Sequence, residues 1–137
     1  MVYLMKSDYS RLEEMRTVIR MSAESHGFAN DAASQIALAV DEACTNLIRY
    51  SFPDNNNVPI QLTVITNNKE FIIEIADNGQ PFNPDLVPPV DLEQYRKEYK
   101  KGGLGIHIMR SVMDDVVYKP ATGKKHHNTL RLKKYLA

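Results

Sequence analysis

The sequence predicts an α+β fold: a two-layer sandwich with helices on one face of a mixed, mainly antiparallel sheet. Two amphipathic helical stretches open the chain. Two alternating apolar runs meet at a turn in its middle, and a helix followed by a second pair of short β-branched runs closes it. At 137 residues the chain fits a single domain and is long enough for an ordinary core.

Residues 2–5 read as a short edge strand. Ser10 stands three residues before Glu13, the capping-box pattern that opens a helix. Leu12, Met15, Ile19 and Ala23 follow at helical spacing, and Gly27 supplies a stop. A second helix is expected from Asn30 or Asp31, with Ala33, Ile36, Ala37, Val40, Cys44, Leu47 and Ile48 forming one apolar stripe. Ile60, Leu62 and Val64 alternate with polar neighbours. Asn67-Asn68 then turns the chain into 71–76, a β-branched run suited to a central strand, so the two runs form a hairpin. Asp77-Asn78-Gly79 ends that strand, and periodicity is lost from 81 to 101 apart from a short charged helical stretch at 92–100. A third helix follows the glycines at 102–105, with Leu104, Ile108, Met109, Val112 and Met113 on its apolar side and Asp114-Asp115 at its end. Residues 116–118 and 129–132 form a closing hairpin across a polar loop.

Lys and Arg number 17, as do Asp and Glu, so the formal net charge is zero. Generic binding to nucleic acid or to a membrane surface needs an excess of positive charge and finds no support here. Cys44 is the only cysteine, which excludes an intrachain disulfide and suits a reducing compartment. No apolar run is long enough to cross a bilayer and no signal-peptide order opens the chain, so the expected location is the cytoplasm.

Three short stretches carry chemistry. Glu42 and Asn46 are four apart on one helical face, with Arg49 a turn further on, opposite the apolar stripe. That is what an ordinary solvated face looks like. It also suits a carboxylate base beside an amide oxygen that ligates a hard cation such as magnesium, which takes few protein oxygens and keeps waters and phosphates. Asp77-Asn78-Gly79 reads either as a plain turn or as a buried acceptor for an exocyclic amine, beside a glycine that lets a planar base approach the backbone. Gly102-Gly103-Leu104-Gly105 is either a hinge or a phosphate cradle: it leads into a helix N-terminus, with Lys100 and Lys101 just upstream. No Gly-Lys-Ser/Thr follows, so this is not a P-loop. His126-His127 read as a solvated loop, since adjacent residues of a strand face opposite ways.

Taken in order, Asp41-Glu42-Ala43-Cys44-Thr45-Asn46, Asp77-x-Gly79-x-Pro81-Phe82, Gly102-Gly103-Leu104-Gly105-Ile106 and Asn128-Thr129 form a constellation. It resembles the ATP-binding domain shared by DNA gyrase, the heat-shock chaperone of ninety kilodaltons, sensor histidine kinases and the MutL repair protein. Within that superfamily the chain most resembles the stand-alone bacterial anti-sigma-factor serine kinases, from about residue 5 to 136.

The resemblance implies a Bergerat-type fold over 1–137, with a mobile ATP lid at about 83–103. It implies ATP or ADP as nucleotide, with Mg2+. Glu42 would be the general base toward a substrate serine, and Asn46 the magnesium ligand. Asp77 would take the adenine amino group, supported by Thr129, with Gly79 beneath the ring. Gly103, Leu104 and Gly105 would embrace the phosphates, and Lys101 sits where some relatives carry an arginine that approaches nucleotide or partner. The implied activity is phosphorylation of an anti-sigma-factor antagonist, alternating with capture of a sigma factor, in a homodimer with no direct nucleic-acid or membrane contact. A non-catalytic, nucleotide-dependent interaction switch is the alternative. Two features depart from the family pattern: Arg49-Tyr50-Ser51-Phe52 replaces a His-x-Tyr-like segment, and 84–99 is longer and richer in proline.

Overall fold

The chain folds as a sheet of five strands with its helices on one face. It is described here in a computed structural model covering residues 1–51, 58–81, 103–122 and 127–136. In chain order the elements are β1 (Val2–Lys6), a 3-10 turn (Tyr9–Arg11), α1 (Leu12–His26), α2 (Asn30–Asn46) and a π-helical turn (Leu47–Ser51). There follow β2 (Pro59–Thr66), β3 (Glu70–Asp77), α3 (Gly103–Val112), β4 (Asp115–Lys119) and β5 (Asn128–Tyr135). The sheet order is β1-β2-β3-β5-β4, and every described pairing is antiparallel, so the expected mixed component is absent among the described residues.

The period of two places Ile60, Leu62 and Val64 of β2, Phe71, Ile73 and Ile75 of β3, and Leu130 and Leu132 of β5 on the helix-facing side. There they share one core with Met15, Ile19 and Ala23 of α1 and with the apolar residues of α2. Phe71 anchors the centre, edge-on to Phe28 at a ring distance of 5.8 Å.

Several local expectations shift. Asp8, not Ser10, is the N-terminal cap: its carboxylate accepts from the Ser10 N–H at 3.0 Å, which starts a 3-10 turn that runs into α1. Gly27 ends α1 in the left-handed region, at φ 117°, where its N–H reaches the Ala23 and Glu24 carbonyls. In α3, Ile106 joins Met109 and Met113 in the core while Ile108 and Val112 are only half-buried, so the buried stripe is rotated from the expected one. The helix stops at Val112. Asp114 then accepts from the Tyr135 N–H at 2.7 Å, and Asp115 already begins β4.

Candidate functional site

The site is built from the end of β3 outward. Asp77 is the last residue of β3 and falls on the core-facing side, only 3% exposed. Its Oδ1 accepts the Gly79 N–H at 2.9 Å, so the carboxylate closes the turn that follows the strand. Opposite it in the ladder stands Asn128 of β5, equally buried. The Asn128 Nδ2 donates to Asp77 Oδ1 at 3.2 Å and to the Gly79 carbonyl at 2.9 Å, while its Oδ1 accepts the Ala121 N–H at 2.9 Å. Burial raises the Asp77 pKa above the usual carboxylate range. The Gly79 N–H, the Asn128 amide and the nearby His127 pull the other way.

Thr129 does not stand beside Asp77. It pairs with Ala76 on one side and Lys119 on the other, and lines an open trough on the outer sheet face with Glu74, Val117 and Arg131. The reason is the strand period: one step along β5 moves a side chain to the opposite face, so the position facing the Asp77 end is Asn128. Asn128 stood next to Thr129 in the sequence pattern. What singles it out is its register opposite Asp77, which requires knowing that β5 pairs with β3.

Glu42 and Asn46 share one face of α2, as their spacing predicts, but that face is not solvated. Asn46 is 3% exposed and Glu42 is half-buried, on a helix that packs against both α1 and α3. Ala39 and Ala43 of the same helix are also buried. Burial raises the Glu42 pKa, the adjacent Asp41 charge adds to the rise, and Arg49 in the π turn opposes both. Cys44, fully enclosed, has its thiol pushed far up by burial and then by the carboxylates of Asp41 and Asp77.

Gly103 opens α3, so Gly103, Leu104 and Gly105 form its first turn rather than a preceding loop, and their backbone N–H groups lack intrahelical partners. Lys101 and the lid expected at about 83–103 lie outside the described residues up to that helix start. Among the described residues no cluster of three His, Cys, Asp or Glu side chains is arranged to hold a metal. A hard cation that takes one amide oxygen from Asn46 and the rest from phosphates and water fits such a donor set.

A known domain matches nearly the whole chain. The family model of the histidine kinase-like ATPase domain covers residues 5–134. The chain belongs to this family. Within the histidine kinase-like ATPases it groups with serine-protein kinases. It is 30% identical over 129 residues to the serine-protein kinase RsbW of Bacillus velezensis, spanning 89% of this chain and 76% of that protein. To the serine-protein kinase RsbW of Halalkalibacterium halodurans it is 27% identical over 113 residues, spanning 80% of this chain and 68% of that one. Among solved structures it resembles the RsbU and RsbW domains of Rv1364c from Mycobacterium tuberculosis, with a TM-score of 0.63 at 10% identity. That match covers 98% of this chain but only 31% of the larger one, and it speaks for the fold alone. No helix among the described residues is long and apolar enough to cross a membrane.

Proposed function

We propose that this histidine kinase-like ATPase binds Mg·ATP at the end of β3 and phosphorylates a serine or threonine of an anti-sigma-factor antagonist. In its other role it holds a sigma factor away from RNA polymerase, as a cytoplasmic homodimer spanning 1–137 whose lid is the segment at about 83–103. One observation carries the nucleotide reading: Asp77 is a buried carboxylate whose described hydrogen bonds all fall on Oδ1, which leaves Oδ2 to accept an exocyclic amine. The serine-protein kinase relatives support the transfer step.

In this reading Gly79 lets the base lie against the backbone. The N–H groups of Gly103, Leu104 and Gly105 receive phosphate oxygens at the positive end of α3, with Lys101 as an added cation. Asn46 offers its amide oxygen to magnesium, whose charge offsets that developing on the transferred phosphoryl group. Glu42 accepts the proton of the acceptor hydroxyl as that oxygen bonds to the γ-phosphorus and the bond to the bridging oxygen of ADP breaks. Positioning and electrostatics supply most of the acceleration, and a base adds about 10²–10⁴-fold.

The test uses γ-labelled ATP with magnesium and a purified antagonist-type acceptor. Wild type should place an acid-stable label on serine or threonine, and Glu42→Gln should lose it while keeping its ADP affinity. A Glu42→Gln protein that also loses ADP would remove Glu42 from the base role. The π turn over Leu47–Ser51, directly after Asn46, favours a second reading, because it gives the region after the metal ligand a geometry of its own. In it the chain is a nucleotide-dependent switch that binds partners without transfer, and firm ADP binding with no labelled acceptor would bring that reading forward.

A further inference from the structure

We infer that Asn128 is a positioning residue for base selectivity: by holding Asp77 through Oδ1 and the Gly79 carbonyl together, it makes the Asp77 Oδ2 edge a fixed acceptor that takes a 6-amino purine and rejects a 6-oxo purine. This rests on the nucleotide reading above and names the residue that sharpens it. A primary amide has two donor hydrogens and one acceptor oxygen, and at Asn128 all are engaged. Nδ2 donates to Asp77 Oδ1 and Gly79 O, and Oδ1 accepts from Ala121 N. The reversed amide would set oxygen against two acceptors, so the orientation is determined by its partners. With both donor hydrogens used and its oxygen turned to Ala121, Asn128 has no N–H left to offer a base and acts through Asp77 and the turn.

The consequence for Asp77 follows from donor counting. Its Oδ1 receives two N–H groups, from Gly79 at 2.9 Å and Asn128 at 3.2 Å, and no described hydrogen bond ends on Oδ2. Two donors on one oxygen restrain the carboxylate and, against the effect of burial, favour its ionised form, which can only accept. A buried carboxyl relieved of one donor turns more freely and takes up a proton more readily, and a protonated acid can donate to a 6-oxo group. The amide also ties three chain segments at one point: the end of β3, the turn at Gly79 and the loop at Ala121. The base-facing edge therefore does not depend on β3 alone.

The experiment measures ADP and inosine diphosphate affinities, which differ in the base only at the 6-position and N1, for wild type, Asn128→Ala and Asn128→Thr, each checked for folding by thermal melting. Wild type should prefer ADP. In Asn128→Ala the preference should shrink by about tenfold or more, the scale of one hydrogen bond to a charged group. Asn128→Thr, which keeps a single donor, should fall between them, and it carries the comparison alone if the alanine variant does not fold. Equal weakening of both nucleotides, or an unchanged ratio, would overturn the positioning role and leave Asn128 a structural clamp. Wild-type protein that binds neither nucleotide would instead bring down the nucleotide reading, and this inference with it.

Discussion

Arg16 of α1 pairs with Asp41 of α2 at 3.2 Å, one residue ahead of Glu42. The pair uses Asp41 Oδ2, while the buried Oδ1 has no hydrogen-bond partner among the described residues. The negative charge of Asp41 thus remains felt at Glu42, where it adds to burial in raising the pKa, and Arg49 counteracts it. A general base works only when deprotonated, so transfer should rise with pH through the raised Glu42 pKa and level off above it. Asp41→Asn removes one raising influence and should move this acid limb to lower pH. Arg49→Gln removes the lowering influence and should move it to higher pH. A pH–kcat/KM profile of the three proteins checks this, and limbs that coincide would detach the titration from Glu42.

Asp77→Asn separates stability from binding. Because the folded-state pKa of Asp77 is raised, the folded protein holds a proton on it that the unfolded chain has released, between the ordinary carboxylate value and the raised one. Stability therefore falls as pH rises through that window, and above it the buried charge opposes folding in full. An amide there keeps an oxygen for the Gly79 and Asn128 donors and removes the charge. Denaturant titration at neutral pH should show a gain of about 1 kcal/mol, the scale of a typical stabilising substitution. ADP affinity should fall by about tenfold to a hundredfold, since in the proposed site the new NH2 would meet the base as a donor where an acceptor is needed.

Gly27→Ala probes the joint between α1 and α2. The added Cβ would sit 3.6 Å from the Leu136 side chain, an ordinary contact, so crowding contributes little. The conformation itself is the obstacle, since φ 117° lies where an L side chain is strained. The expected loss is about 1–2 kcal/mol, read from urea midpoints, with ADP binding unchanged because the substitution lies away from Asp77.

Much of this architecture is legible in the sequence because it depends on local periods. The alternation through Ile60, Leu62 and Val64 and the stripe from Ala33 to Ile48 each reflect one buried face of one element. The positions of Glu42, Asn46 and Asp77 on their elements are legible for the same reason: each is placed by its own helix or strand end. What escapes depends on pairings distant in sequence. Thr129 and Asn128 cannot be told apart until β5 is set beside β3, 49 or more residues away. The face of Glu42 and Asn46 looks solvated on α2 alone, yet in the fold Asn46 is buried and Glu42 half-buried. The Asp8 cap escapes for a different reason, since a 3-10 turn ahead of α1 shifts the start by a few residues without changing the later periodicity.

Asn46 makes the dependence on metal testable. It is buried and no acidic cage is described around it, so a magnesium ion held here leans on one amide oxygen and on the phosphates of the nucleotide. Metal affinity for the nucleotide-free protein should then be weak, and magnesium should tighten ATP binding in wild type far more than in Asn46→Ala. Titration of ATP with and without a chelator reads the difference directly. The magnesium-dependent gain should drop by about tenfold in the variant, the lower end for loss of a hydrogen-bond or ligand contact to a charged partner. Binding in the presence of chelator should change little, because the proposed base contact at Asp77 would be untouched. If magnesium tightens ATP equally in both proteins, the ligand lies elsewhere, and Asn46 is buried for packing alone.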